Sequence, residues 1–238
     1  MFDKRSMATE YLDRPDCDAA LAVASYRFME IVNRHFGGMA PVRRFLAAAT
    51  ANGRAGNPLN ILDIGAGSCD IPLAVSRWAR TRGVVLNFTC LETGVQAAAI
   101  AQRKLARAHD PAVHLLQEDI FSHQPAHPYD YAVASMCFHH FSDARIVSLL
   151  QKLRGFVRHG LLINDLRRSR RALLAAGLLS ATSPAGVRHD ALLSIRRGFK
   201  VGELEALLQQ VEGATVCVKP ARWFRVVALV GFRAKEAA

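Results

Sequence analysis

The chain has 238 residues, 51% of them hydrophobic and 21% charged, the size and balance of one large α/β domain with a sizeable core. No stretch approaches the roughly 18–20 apolar residues that cross a membrane, and no apolar signal region follows Met1–Arg5, so the expected compartment is the cytoplasm. Lys and Arg outnumber Asp and Glu by 31 to 20, which keeps nucleic acid open as a partner, while five scattered cysteines without a C-x-x-C pair argue against a disulfide framework and against a metal site.

Residues 1–58 read as an N-terminal helical cap, with Phe28, Ile31, Val32 and Phe36 on one stripe and Gly37-Gly38 as its stop. Asn60–Ile64 is a short apolar strand that ends in glycines. Ile71, Leu73, Ala74 and Trp78 then mark a helix with Pro72 in its first turn, where a missing N–H does no harm. Val84–Leu91 is a second strand, and Thr93 is placed to cap a helix carrying Val95, Ile100 and Leu105. Val113–Leu116 and Tyr129–Ser135 are the third and fourth strands. Ser142 caps an amphipathic helix bearing Ile146, Leu149, Leu150, Leu153 and Val157, and Gly160 stands where a helix-stopping glycine belongs.

Gly160–Asn164 is the fifth strand, followed by a basic helical insertion over about 167–198. Helix resumes with Val201, Leu204, Leu207, Leu208 and Val211. Strands Ala214–Lys219 and Phe224–Phe232 close the chain, joined by Pro220-Ala221-Arg222-Trp223. Strands alternating with helices imply a doubly wound α/β fold with a mostly parallel, seven-stranded, Rossmann-like sheet. The short last connection makes the final strand antiparallel. One ligand-binding domain over 59–238 is expected, with the cap and the insertion forming a lid.

In such a sheet, ligands bind beyond the carboxyl ends of the strands where strand order reverses. The first strand ends in Asp63-Ile64-Gly65-Ala66-Gly67-Ser68-Cys69-Asp70, and Glu92 ends the second, where a carboxylate can accept both hydroxyls of a ribose. A dinucleotide fingerprint needs a third glycine where Asp70 stands, and a carboxylate at that helix N-terminus repels a pyrophosphate. A sulfonium cofactor has no phosphate to repel.

Leu62 to Cys69 resembles motif I of the class I S-adenosylmethionine-dependent methyltransferases, with Cys69 in place of the last glycine; the resemblance extends over roughly residues 60–165. It implies S-adenosylmethionine as cofactor, with Asp63, Gly65, Ala66 and Gly67 around its methionine part and Glu92 and Thr93 at the ribose. It also implies Asp119 on the adenine amino group, Ile120 against the ring, and Ser135 and Met136 beside the methionine part.

Just past the fourth strand, Cys137-Phe138-His139-His140-Phe141 supplies histidines at the cofactor edge, and histidine is the natural base near neutral pH. Paired histidines here are similar to those of small-molecule members of the family. His139 and His140 are the catalytic candidates, with Asp165 after the fifth strand and His189 as further pocket residues. Methyl transfer needs alignment first, worth roughly 7–11 kcal/mol, and a base second, worth about 10²–10⁴-fold. Arg167, Arg168, Arg170, Arg171, Arg196 and Arg197 either clamp an acidic group or form a solvated helix face, while Leu173–Leu179 and Ala191–Leu193 roof an apolar pocket. The resulting expectation is O- or C-methylation of a small apolar or aromatic phenol, quinol or hydroxyl. RNA methylation, or a non-catalytic cofactor-binding protein of the same fold, are the alternatives the same residues admit.

Overall fold

Asp18 opens the first helix, its carboxylate accepting the Leu21 N–H at 2.9 Å, and α1 (Ala19–His35) runs on to Gly37, whose φ of 84° turns the chain into α2 (Met39–Ala51). The computed structural model describes residues 2–14, 16–51 and 58–232, so parts of the expected segments 1–58 and 59–238 lie outside the described residues. Phe28, Val32 and Phe36 share one face of α1 as their spacing predicts. Ile31, expected with them, is 54% exposed.

The sheet begins with β1 (Leu59–Ile64), β2 (Leu86–Leu91), β3 (Val113–Leu116) and β4 (Tyr129–Ser135), followed by β5 (Val157–Leu166), β6 (Ala214–Ala221) and β7 (Arg225–Phe232). Strand order is β3-β2-β1-β4-β5-β7-β6, parallel except for β7, which runs antiparallel to both neighbours. Order reverses between β1 and β4, so the crevice beyond their carboxyl ends is where this topology places a ligand.

Helices cover both faces. On one, α5 (Asp143–Leu153) buries Ile146, Leu149, Leu150 and Leu153 completely beside α8 (Val201–Leu208); each such side chain contributes about 1.5–3 kcal/mol. On the other, α3 (Asp70–Arg80) and α2 pack Val42, Leu46, Ile71 and Val75 against β1 and β2. α4 (Val95–Ala108) connects β2 to β3. The expected insertion is a helical hairpin, α6 (Arg170–Leu179) and α7 (Ala185–Arg197).

Three local expectations are corrected. Val157 belongs to β5 and not to the preceding helix, because Gly155 and Phe156 turn the chain after Leu153 and Val157 pairs with Tyr129. Gly160 is then no helix stop but a residue of β5 at a close approach of β7: a Cβ there would lie 2.4 Å from the Val230 carbonyl oxygen. Thr93 is exposed and caps nothing; Gly94 is the N-cap of α4, and its N–H goes to the Glu92 carboxylate at 2.8 Å.

Gly160→Ala is expected to force β5 and β7 apart and to cost about 1–3 kcal/mol, a drop of about 3–10 °C in melting temperature. A thermal melt checks it, and an unchanged midpoint would show that the sheet yields without cost.

Candidate active site

The chain turns sharply after β1. Gly65 and Gly67 have φ of 66° and 54°, and the Gly65 and Ala66 N–H groups both donate to the Leu91 carbonyl at 3.0 Å. A Cβ on Gly65 would lie 2.5 Å from the Cys137 sulfur, so only glycine lets this loop meet the segment after β4. Cys69, the N-cap residue of α3, also has positive φ, 56°, which is why a glycine suits that position; its side chain is fully buried and makes no capping hydrogen bond. The Glu92 carboxylate accepts the Gly67 N–H at 2.8 Å and so ties the end of β2 to the loop.

A polar face of α1 lies across the same loop. Tyr26 packs over Gly67, Glu30 accepts from Ser68 Oγ at 2.9 Å and pairs with Lys104, and the Asn33 amide donates to Asp70 at 3.2 Å. Positions 26, 30 and 33 share one side of a helix. Burial pushes the Asp70 carboxyl up, and Asn33 and Lys104 pull it part of the way back. Asp63, fully buried behind the loop, is pushed up to about 8 by burial and by the nearby Asp70 and Glu92.

Beyond β4, a short 3-10 helix over Phe138–His140 turns both histidines toward the N-terminal segment. Asp165, at the end of β5 and 0% exposed, accepts three hydrogen bonds: from His139 Nδ1 at 2.7 Å, from the His139 N–H at 3.1 Å and from the Leu166 N–H at 2.7 Å. Burial would raise its pKa, but His139 and these bonds outweigh it and hold the carboxyl below the usual range. An ionised Asp165 holds a proton on Nδ1 and turns Nε2 toward Glu10, whose Oε1 lies 3.8 Å away.

Glu10 is 4% exposed, accepts from Ser194 Oγ at 2.8 Å, and has the Arg197 guanidinium 3.8 Å from the same oxygen. His140 Nδ1 meets Asp13 at 2.9 Å. Desolvation opposes its charge, but Asp13 and Glu10 prevail and hold the imidazole above its ordinary value. Glu10, His139 and His140 bring ligand atoms within 4.8 Å of one another, a spacing a metal ion could use, while Arg197 already supplies positive charge at the same carboxylate.

Beside this cluster lies a cavity of about 200 Å³. Phe28 and Val32 of α1, Phe36 just past its end, small residues of α6 and α7 such as Ala176 and Ala191, and Trp223 and Phe224 of the last turn form its walls. Met136, whose φ is 55°, joins it to the end of β4, and Glu10, Ser25, Asp190, Ser194 and Arg225 are its polar lining.

A family model described as a methyltransferase domain matches residues 62–160, from β1 through the start of β5. Residues 62–160 are a methyltransferase domain. The description of that model names the transferred group and no cofactor.

Most of the chain shares its fold with methyltransferases of known structure. Plantazolicin methyltransferase BamL, in complex with a triazolic desmethylPZN analog and S-adenosylhomocysteine, superposes with a TM-score of 0.68 at 14% identity, over 93% of this chain and 92% of that one. The plantazolicin methyltransferase BpumL in the corresponding complex gives 0.65 at 17% identity, over 94% and 93%. Magnesium protoporphyrin IX methyltransferase from Synechocystis with bound S-adenosylhomocysteine gives 0.57 at 14%, over 83% and 84%. A sequence search of curated proteins returns no match.

The chain brings most of the sequence-selected residues to one end of its sheet. Asp63, Gly65, Ala66, Gly67 and Glu92 meet at the loop after β1, and Ser135, Met136, His139, His140 and Asp165 at the ends of β4 and β5. Asp119 is half exposed, its carboxylate accepting the Phe121 N–H at 3.0 Å, while Ile120 is buried in the core. Thr93 faces solvent, and His189 stacks on Tyr11 at 4.3 Å, with its Nδ1 on Asp190 at 2.9 Å.

Two arginines of the basic run prove to be interior. Arg168 Nη2 donates to both Glu203 carboxylate oxygens at 2.6 and 2.8 Å, and Arg197 donates to the His139 and His140 carbonyls. Sequence reading missed Glu10, Asp13, Tyr26 and Arg225. Of these only Arg225 carried a signal, a charge at the head of an otherwise apolar strand.

Proposed function

We propose that the enzyme methylates oxygen, or an activated carbon, of a small and largely apolar molecule held in the cavity between α1, α6, α7 and the last hairpin. The cavity itself carries this reading. Its walls are apolar, one of its few polar lining residues is backed by an oriented histidine, and Met136 links it to the loop after β1. A cavity of about 150 Å³ admits benzene, so about 200 Å³ suits a substituted single ring and not a macrocycle or a polynucleotide. On this reading residues 1–58 and the helical hairpin act as one cap, because α1 and α7 both line the cavity.

The residues present fit the cofactor. Gly65 and Gly67 leave a backbone cradle that a Cβ would fill, Glu92 stands at the end of β2, and the Ser135 hydroxyl is buried without a hydrogen-bond partner at the end of β4. Asp63, Gly65, Ala66, Gly67, Ser135 and Met136 would hold the methionine part, Glu92 with Thr93 the ribose, and Asp119 with Ile120 the adenine. The bound sulfonium supplies an already activated methyl group.

The chain's own residues then position the acceptor and take its proton. The cavity walls exclude water, and Glu10 faces the acceptor. His139, its Nδ1 proton held by Asp165, offers Nε2 as the proton's destination behind Glu10. His140, held above its ordinary range by Asp13 and Glu10, serves on this reading as a counter-ion to Glu10.

Methyl-labelled S-adenosylmethionine offered with phenols, quinols, hydroxy acids and RNA tests the proposal. Label is expected on a single-ring phenol or quinol and not on RNA. Transfer to RNA alone would overturn it.

A further inference from the structure

Arg225 is the largest of the fully buried side chains among the described residues, at 1% exposure, yet neither of its terminal nitrogens, Nη1 and Nη2, has a hydrogen-bond partner. Only Nε is used, donating to the Phe36 carbonyl at 3.2 Å. Burial lowers the guanidinium to about 10 against the pull of Asp165, so it remains charged at neutral pH. Asp165 does not neutralise it by contact, since its oxygens are engaged by His139 and Leu166. An unpaired buried charge costs several kcal/mol and persists in a fold only when something compensates it.

The surroundings show where the compensation comes from. Arg225 lines the apolar cavity, and of the polar residues on its wall, Glu10 is bonded to Ser194 and Asp190 accepts the Tyr11 and Leu12 N–H groups. The Arg225 fork and the Ser25 hydroxyl are left without partners.

The turn that delivers the arginine is itself strained. Trp223 and Phe224 occupy the two central positions of a tight hairpin turn with φ of 60° and 56°, where Asn-Gly is the ordinary solution. Both rings line the cavity, with Trp223 edge-on to Phe36 at 5.1 Å. Strain of this kind gathers at binding sites.

We propose that Arg225 is a carboxylate-binding residue: the methyl acceptor is an aromatic or similarly apolar acid whose carboxylate docks end-on against Nη1 and Nη2, with the ring between Phe36, Trp223 and Phe224. This rests on the cavity being the acceptor site and adds the acceptor's charge. Two parallel N–H···O bonds to a carboxylate match the guanidinium fork, which a lone hydroxyl does not.

Calorimetry on the protein saturated with S-adenosylhomocysteine tests the inference, with benzoate and benzamide as probes. Benzoate is expected to bind at least about tenfold more tightly than benzamide, and Arg225→Met to abolish that preference. The variant also separates a ligand site from a structural role. Removing an unpaired buried charge leaves the melting temperature unchanged or higher, whereas losing a structural contact lowers it. Equal binding of the two probes, no benzoate binding to the wild type, or benzoate affinity retained in Arg225→Met would each overturn the carboxylate assignment. Transfer of label to neutral phenols would still stand as evidence for the cavity, so the two readings fail separately.

Discussion

Asp165→Asn is expected to lower turnover by about 10²–10⁴-fold while leaving S-adenosylhomocysteine affinity within about threefold of wild type. The carboxylate holds the His139 proton on Nδ1 and so leaves Nε2 free to receive one. An amide in its place can donate to Nδ1, which puts the proton on Nε2 and removes the acceptor. Asp165 is a positioning residue, since it touches His139 and not the cavity. It also ties two backbone N–H groups, so the variant should lose about 1–3 kcal/mol of stability as well.

A stability loss alone would depress all acceptors alike, and choice of acceptor separates the two effects. A phenol acidic enough to be ionised at the assay pH needs no base, so its kcat should fall far less than that of an ordinary phenol, with KM little changed for either. An equal fall for both acceptors would place Asp165 in the scaffold only, and unchanged turnover would remove the His139–Asp165 pair from the chemistry.

Much of the scaffold that positions this pair was legible in the sequence. Val113–Leu116 and Tyr129–Ser135 emerge with the bounds their patterning gives, and the antiparallel last strand follows from the short link before it. Periodicity failed where a helix runs into a strand. Val157 continues the spacing of Leu153 by four residues, and nothing in that spacing shows the turn at Gly155. The last turn was misplaced for a different reason: Trp223-Phe224 contradicts turn propensity, so Phe224 reads as strand until the fold shows both residues at positive φ.

The site divides in the same way. Residues at strand ends, such as Asp63, Glu92 and Asp165, are found by topology, because the carboxyl ends of neighbouring parallel strands must lie side by side. Glu10 and Asp13 reach His139 and His140 from a segment with no periodic pattern, and such contacts leave no local mark. The arginine run was visible as charge, but whether each arginine meets solvent, a carbonyl or a carboxylate depends on partners far along the chain. Arg168 finds Glu203, Arg197 finds Asp13, and Arg225, outside the run, finds none at its terminal nitrogens.

Asp63→Asn is expected to stabilise the cofactor-free protein, and increasingly so as the pH rises. The Asp63 carboxyl is fully buried, with no hydrogen bond reaching it among the described residues, and its pKa of about 8 compares with 3.8 for an ordinary aspartate. Below about pH 4 both folded and unfolded chains hold the proton, and the group costs nothing. Between pH 4 and 8 the unfolded chain releases the proton while the native one keeps it, so stability falls with rising pH by up to about 1.4 kcal/mol per unit. Above pH 8 the loss levels off.

Asparagine fills nearly the same space and never ionises, so the variant escapes this slope. Its melting temperature should match wild type near pH 4 and exceed it by about 5 °C or more at pH 8–9. A difference that does not grow with pH would show that Asp63 is already ionised in the native state. The same acid explains why the position would keep such a cost. With Asp63 at the methionine part, a cationic cofactor lowers the pKa, and binding near neutral pH releases a proton. The calorimetric binding enthalpy of S-adenosylmethionine should then vary with the ionisation enthalpy of the buffer in wild type and not in Asp63→Asn. On that assignment, the buried acid that destabilises the free protein is the counter-charge of the loaded one.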